Sequence, residues 1–206
     1  MKRFLLYFSC IMAIVLLSGC SMDNTPTGKV ENFLDNYKNH DDNVIEQLGD
    51  MVNMDGLMDE AQKSTYTDIM KKQYEDLSYE IKNEVIDGDT ATVTAEIEVY
   101  DFYRVNQDAE AYYNSNPGEF SDDNGTSDGG LVGDVVEGAE DAADDTAGAM
   151  TSDQKYVEYR LGKLKEAEDR VTYTIDFTLT KNDEEVWTLN EIDDMTRQKI
   201  HGLYEH

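Results

Sequence analysis

Few side chains in this sequence have a spacing suited to chemistry, and Asp101 is the first of them. It lies between Tyr100 and Tyr103, where an alternating apolar pattern loses its phase, which a bend, a bulge or two-sided burial would explain. If Asp101 turns into a concave face, burial raises its pKa and makes it usable as a general base. The favoured alternative is an exposed aspartate at a strand end beside Arg104. Asp101 and Tyr103 are thus the catalytic candidates, although we expect a protein that is not an enzyme.

The histidines and the acidic residues form no recognisable metal-binding motif. No two of His40, His201 and His206 are three or four residues apart, so we expect them at the surface or at helix ends. The segment 121–130 is rich in Asp, Asn and Gly, but no register gives it both the glycine and the glutamate of a calcium loop. We predict no metal and no cofactor, with loose cation binding by this acidic segment as the alternative.

The sequence also lacks the signatures of the common enzyme classes. It has no serine-hydrolase elbow, phosphate-binding loop, dinucleotide fingerprint or zinc-protease motif. This weakens hydrolase, kinase and dehydrogenase interpretations, and no residue set identifies a reaction.

Cys20 ends an N-terminal segment in which basic, apolar and small residues follow one another as in an export signal. Two basic residues at positions 2 and 3 precede an apolar run over 4–17 that is short for a transmembrane helix. The run closes on Leu17-Ser18-Gly19-Cys20, which resembles the lipobox of bacterial lipoproteins. The resemblance implies cleavage before Cys20 and a diacylglyceryl thioether on it, which would hold the protein at the extracytoplasmic face of the cell membrane. The alternative is an ordinary signal peptide with a chance cysteine.

The net charge of the chain is strongly negative. It is −28 overall, from 17 basic and 45 acidic residues, and residues 20–206 carry 15 minus 45, or −30. Such a charge argues against nucleic acid as a partner, because its phosphates would be repelled. It also argues against direct adhesion to an anionic membrane or wall polymer without divalent cations. The favoured explanation is an acidic surface that keeps an exposed protein soluble.

The first half of the chain predicts three helices and then a hairpin. Thr25-Pro26 begins one helix, Asp41 or Asp42 caps a second, and a third spans about 59–76. The pattern then alternates on both sides of a predicted turn at Asp87-Gly88. The residues predicted to face inward are Tyr79, Ile81, Val85, Ala91, Val93, Ala95, Ile97 and Val99.

An acidic, low-complexity insert follows a predicted helix over 105–114. There is no Lys or Arg between Val105 and Gln154, and seven of the fourteen glycines lie in 115–150. We therefore predict a disordered insert over about 115–150. Apolar residues recur about every 3.5 residues over 131–150, so a weak helix that forms against a partner is the alternative.

The last part of the chain predicts a helix, a second hairpin and a short helix. Ser152 or Asp153 caps a helix to about 168, Asn182-Asp183 makes a turn between two strands, and Asp193 or Asp194 caps the last helix. The residues predicted to face inward are Val171, Tyr173, Ile175, Phe177, Leu179, Met195, Ile200 and Leu203.

This order of elements predicts an α+β fold with a curved antiparallel sheet packed against helices. Three segments, Pro26–Leu34, the hairpin that closes on Tyr100-Asp101-Phe102, and Thr188–Ile192, resemble the NTF2-like (cystatin-like) lipoproteins of Gram-positive bacteria. The resemblance implies a bent sheet wrapped around helices, with a pocket on its concave side. Such folds host enzymes, binding modules and oligomerisation domains.

These observations predict a lipid-anchored protein with one extracytoplasmic domain. The signal peptide covers 1–19, a lipidated tether covers 20–25, and a single domain covers 26–206. Its partners would be the lipid bilayer, through acylated Cys20, and an unknown envelope protein or ligand. We predict a non-enzymatic binding or interaction module. The alternatives are an NTF2-like pocket enzyme or small-ligand binder, and a cation-dependent surface adhesin.

Overall fold

The structure is a computed structural model that describes residues 24–54, 58–121 and 152–206. Within these ranges it has seven helices and an antiparallel sheet of four strands, which confirms the predicted α+β class. The helices are α1 (Pro26–Lys38), α2 (Asp42–Met54), α3 (Glu60–Glu75), α4 (Phe102–Ser115), α5 (Pro117–Phe120), α6 (Ser152–Lys165) and α7 (Asp194–His201). The strands are β1 (Ser78–Asp87), β2 (Thr90–Tyr100), β3 (Arg170–Lys181) and β4 (Trp187–Leu189), in that order across the sheet.

The chain divides into two compact units. Of the described residues, unit 1 comprises 24–35, 80–96 and 174–192, and unit 2 comprises 36–54, 58–79, 97–121, 152–173 and 193–206. The lipobox and the segment 131–150 lie outside the described residues. The signal peptide, the tether and the single domain over 26–206 therefore stay predictions.

Alternate apolar residues of β2 and β3 supply the buried face of the strands. Each residue predicted to face inward on β2 is at most 5% exposed, and so is each one on β3 except half-buried Val171. In unit 1, Phe33 of α1 meets Phe177 of β3 edge-on, with ring centroids 5.8 Å apart. This packing follows from the two-residue repeat of a strand and the apolar stripe of a helix.

The inward position predicted for Val85 is wrong, because this side chain is 54% exposed. β1 is an edge strand, and beyond Ile81 its side chains are exposed on both faces. Alternation of residue types therefore does not mark burial in this part of the strand.

The first hairpin turns one residue later than the sequence predicted. β1 runs through Asp87, and the loop is Gly88-Asp89, with Gly88 at a φ of 61° that suits glycine. The second hairpin pairs Leu179 with Leu189 and turns over 182–186, as predicted for Asn182-Asp183.

The phase slip after β2 marks the change from strand to helix. β2 ends at Tyr100, and Asp101 caps α4, which begins at Phe102 and not at the predicted 105. Part of the segment that was predicted as a disordered insert over about 115–150 is helical. Pro117–Phe120 forms α5, and Phe120 is buried between the rings of Tyr113 and Tyr156, at 5.1 Å and 6.3 Å.

In unit 2, the described helices begin and end close to the predicted positions. Asp59 caps α3 in a reciprocal capping box with Gln62, and Asp193 caps α7. The inward position predicted for Met195 is wrong, because this residue is 48% exposed. Buried Ile200 lies five residues further on, which places it about 140° away around the helix, so both cannot face inward. None of the helices within the described ranges is long and apolar enough to cross a membrane.

Candidate ligand-binding site

One face of α3 brings together polar and apolar side chains at helical spacing. Thr65, Asp68, Ile69 and Lys72 are three, one and three residues apart, so they lie on successive turns of the same face. The capping box at the start of α3 stabilises the helix that presents them. Ile69 is buried, whereas Asp68 and Lys72 are exposed, so the stripe runs from the interior to the surface.

A cavity of about 240 Å³ lies against this face of α3 in unit 2. Its apolar lining includes Ile69, Phe102 and Leu164, which are 6%, 2% and 3% exposed. Its polar lining includes two exposed lysines, Lys72 and Lys165. The complete lining is Thr65, Asp68, Ile69, Lys72, Tyr100, Phe102, Leu164, Lys165 and Ala167. The cavity thus combines an apolar floor with a charged rim.

The Tyr100 ring forms a fixed wall of the cavity. Lys72 Nζ lies 5.3 Å from its centroid and Arg170 Cζ lies 4.7 Å from it, both within cation–π range. The Tyr100 hydroxyl donates to Asp76 Oδ2 at 2.7 Å, and this hydrogen bond raises the pKa of Tyr100. The ring is also stacked on Phe102, with centroids 6.0 Å apart. These contacts leave the tyrosine little freedom to move.

The two rim lysines differ in their partners from Lys63 and Lys82. Lys63 and Lys82 lie 2.9 Å and 2.6 Å from glutamate oxygens. Among the described residues, no carboxylate lies within salt-bridge distance of Lys72 or Lys165. Within the described ranges, these two ammonium groups therefore have no carboxylate counter-ion.

Asp101, predicted as a catalytic candidate, lies elsewhere in unit 2 and is only 5% exposed. Its Oδ1 accepts from the Arg104 N–H at 2.9 Å, and its Oδ2 lies 3.3 Å from His206 Nε2. Tyr103 is half-buried, and its N–H donates to the Gly202 carbonyl at 2.7 Å. Neither Asp101 nor Tyr103 lines the cavity. Both carboxylate oxygens of Asp101 have partners within the protein. Their catalytic role stays a prediction.

The histidines contact other elements of unit 2. The Nδ1 atom of His201 lies 2.9 Å from the Tyr74 hydroxyl, and burial lowers the pKa of His201 to about 4. His40 Nε2 lies 2.9 Å from the Lys71 carbonyl oxygen. In the part of the chain that the structure describes, no three His, Cys, Asp or Glu side chains are placed to hold a metal ion. Cys20 and most of the calcium-like segment 121–130 lie outside that part.

Sequence analysis missed Lys72 and Lys165 as site residues. They are 93 positions apart, so no local spacing joins them. The available signal was on α3, where Asp68 and Lys72 interrupt a face that also carries Ile69. This mixture of charged and apolar residues on one helix face is the local feature that could have pointed to the cavity.

Comparisons with known proteins give no family for this chain. No protein-family model matches it, and no curated protein matches it. Among solved structures, it is similar to a Bacillus subtilis protein, ycdA, described as a candidate lipoprotein, with 14% sequence identity and a TM-score of 0.41. The match covers 98% of this chain and 55% of that one, so this chain spans about half the length of that protein. The NTF2-like and lipobox resemblances therefore rest on the sequence alone.

Proposed function

We propose that this protein is a lipid-anchored, non-enzymatic surface module that binds a small amphipathic ligand with an anionic group. One observation carries the proposal, namely a cavity with an apolar floor and two rim lysines that lack carboxylate partners among the described residues. The two catalytic candidates from the sequence, Asp101 and Tyr103, do not line this cavity.

The lining also limits the kind of ligand. A volume of about 240 Å³ is below the range of about 300–1,000 Å³ that is typical of drug-sized ligands, so the ligand is small. Its apolar part would contact Phe102 and Leu164, and its anion would lie between Lys72 and Lys165. Tyr100, which contacts both Lys72 and Phe102, also lines the cavity. A carboxylate, sulfonate or phosphate on a short apolar body fits this arrangement.

The anchor is the second part of the proposal, and it rests on Leu17-Ser18-Gly19-Cys20. Each buried methylene contributes about 0.8 kcal/mol, so the two acyl chains of a diacylglyceryl cysteine would hold the protein stably at a bilayer. The domain itself, with −30 on residues 20–206, would not adhere to an anionic membrane. Attachment would therefore depend on the lipid alone.

A fluorescence titration with 8-anilinonaphthalene-1-sulfonate tests the binding proposal, since this probe joins a sulfonate to aromatic rings. We expect the folded protein to bind it, and Lys72→Ala/Lys165→Ala to weaken binding about tenfold, as expected for loss of charge-assisted contacts. The control, Lys29→Ala/Lys71→Ala, removes the same charge from residues that do not line the cavity. An equal loss in both double variants, or no loss in the first, would contradict the proposal.

Mass spectrometry of the N-terminal peptide tests the anchor. We expect the protein in the membrane fraction to begin at Cys20 and to carry the mass of a diacylglyceryl group. A Cys20→Ala chain should lack that mass and stay uncleaved. Recovery of a wild-type chain that is cleaved elsewhere, with an unmodified Cys20, would show that the lipobox interpretation is wrong.

A further inference from the structure

The first described residue of the chain, Asn24, is fixed to the edge strand of the sheet in unit 1. Its side-chain Nδ2 donates to the Glu185 carbonyl at 3.0 Å, and its Oδ1 accepts from the Trp187 N–H at 2.9 Å. β4 is the last strand of the sheet, so the Asn24 amide extends the hydrogen bonding of its outer edge. The chain therefore enters unit 1 at the β3–β4 turn.

The start of α1 is fixed in the same unit. Both the N–H and the hydroxyl of Thr27 donate to Glu84 Oε2, at 2.9 Å and 2.8 Å. The Thr25 hydroxyl accepts from the Gly28 N–H at 3.0 Å, which caps the helix. Contacts to β1 and to β4 thus hold the entry point on the body of unit 1.

Both hairpin turns of unit 1 lie at the same end of the sheet. The Lys181 N–H donates to the Asp89 carbonyl at 2.8 Å, which joins the end of β3 to the first hairpin loop. We call Gly88-Asp89 and 182–186 together the turn end of unit 1. Glu80 marks the other end, since it lies seven residues before Asp87 on β1, about 23 Å along the strand.

We infer that the turn end of unit 1 faces the lipid bilayer. Asn24 follows Cys20 by four residues, which span at most about 14 Å when fully extended. Because Asn24 contacts Glu185, this length limits how far the β3–β4 turn can stand from the lipid headgroups. The inference rests on the lipid anchor of the proposed function.

The charge of the turn end determines how this surface meets the lipid. Asp89, Asp183 and Glu184 are exposed there, and Lys181 is paired with Glu185. Anionic headgroups would repel these carboxylates, so the turn end would stand off from the bilayer and would not insert. We expect the separation to grow as the fraction of anionic lipid rises and to shrink in high salt, which screens exposed charges.

Energy transfer from single labels to headgroup-labelled lipids in vesicles tests this orientation. The full-length lipidated protein carries either Asp183→Cys at the turn end or Glu80→Cys at the other end of the strands. Both changes remove one exposed carboxylate, and the introduced thiol is the only free one, since Cys10 is cleaved off and Cys20 acylated. We expect more donor quenching at 183 than at 80. Equal quenching, or more at 80, would overturn the inference.

Two controls show whether a negative result concerns the role of Asn24, the lipid anchor or the orientation. In the Asn24→Ala background the difference in quenching should shrink, whereas Asn32→Ala, an exposed asparagine of α1, should preserve it. An unchanged difference with Asn24→Ala would contradict the role assigned to this residue. Vesicle flotation of the same samples reports the anchor, so a protein that fails to float refutes the proposed anchoring, while one that floats with equal quenching refutes only the orientation.

Discussion

Lys72 and Gln73 are neighbours on α3, yet their surroundings differ completely. Gln73 is fully buried, its Nε2 donates to the carbonyls of Tyr100 and His201 at 3.2 Å and 3.0 Å, and its Oε1 accepts from the Tyr100 N–H at 2.8 Å. Lys72 is exposed, and its ammonium group lies over the face of the Tyr100 ring. A polar side chain whose partners are all within the protein holds the fold, whereas one without such partners is available to a ligand.

The region around Gln73 is closely packed as well as fully hydrogen-bonded. Gly202 ends α7 with a φ of 70°, and a Cβ atom there would lie 2.1 Å from the Tyr100 carbonyl oxygen. Tyr74 is 1% exposed, and its hydroxyl is 2.9 Å from His201 Nδ1. One face of α3 thus packs into the interior of unit 2, and another face lines the cavity.

The largest effect that we predict is that of Gln73→Ala. The change leaves two carbonyls and one N–H of the backbone without their partner, and each buried unpaired group costs about 1–3 kcal/mol. We expect the free energy of unfolding to fall by about 3–5 kcal/mol in urea titrations. Exposed Gln47→Ala on α2 is the control, with a change below about 0.5 kcal/mol. Similar losses of unfolding free energy in Gln73→Ala and Gln47→Ala would show that Gln73 does not hold the fold.

Acid should weaken the same buried region through His201. Its pKa in the folded protein is about 4, below its usual value of 6.5, mainly because of burial, with Arg197 second. The unfolded chain therefore takes up a proton more readily, so the stability present above pH 6.5 decreases as the pH falls toward 4. The loss attributable to this residue is about 3 kcal/mol.

Unfolding of His201→Gln at several pH values measures this loss. Between pH 6.5 and 4 the variant should lose about 3 kcal/mol less stability than the wild type. His40→Gln also removes an imidazole from unit 2 but leaves His201 intact, so it should keep the wild-type loss. If His201→Gln followed the wild-type curve, His201 would not be the acid-sensitive group.

The alternation of apolar and polar residues predicted much of the fold. Ala91 to Val99 alternate without exception, and each inward residue is buried, because β2 is paired on both sides. The same rule failed at Val85, because β1 is an edge strand and sequence alternation does not record which strands lie at the edge. The phase slip at Asp101 suggests a bend, a bulge or two-sided burial, whereas in the structure a helix follows the strand at once.

Asp101 gives a smaller, graded test of a side chain with internal partners. Asp101→Ala removes the cap of α4 and the contact with His206, and should cost about 1–2 kcal/mol in the free energy of unfolding. Asp101→Asn keeps a good capping side chain, so it should lose less than half as much. A thermal or urea series of the two variants checks this order. Equal losses would mean that the charge, and not the cap, is what matters.

The smallest effect on stability should be that of Lys72→Ala. Lys72 has no carboxylate partner among the described residues, and its cation–π contact is exposed. We therefore expect a change within about 0.5 kcal/mol in the same urea titrations. A loss close to that of Gln73→Ala would show that the rim lysine supports the fold, and the distinction between the two faces would fail.

The candidate site was less predictable than the fold. Ile69 and Leu164 were recognised as apolar helix positions, but their shared cavity depends on how α3 and α6 pack, which no local pattern records. Lys165 is one of two lysines near the end of α6, and the local sequence does not distinguish it from Lys163. Only the structure places it beside Lys72 at the cavity.

Filling the cavity from α3 tests the binding claim most directly. Thr65→Phe places a ring at the lining, and Thr67→Phe is its control. Both threonines are half-buried, and both donate to the carbonyl four residues earlier. Of the two, only Thr65 lines the cavity. In titrations with 8-anilinonaphthalene-1-sulfonate, we predict that Thr65→Phe weakens binding of the probe by about tenfold or more, because the ring occupies the space of the ligand. Thr67→Phe should keep the wild-type affinity. Equal affinity in the two folded variants would contradict binding in this cavity.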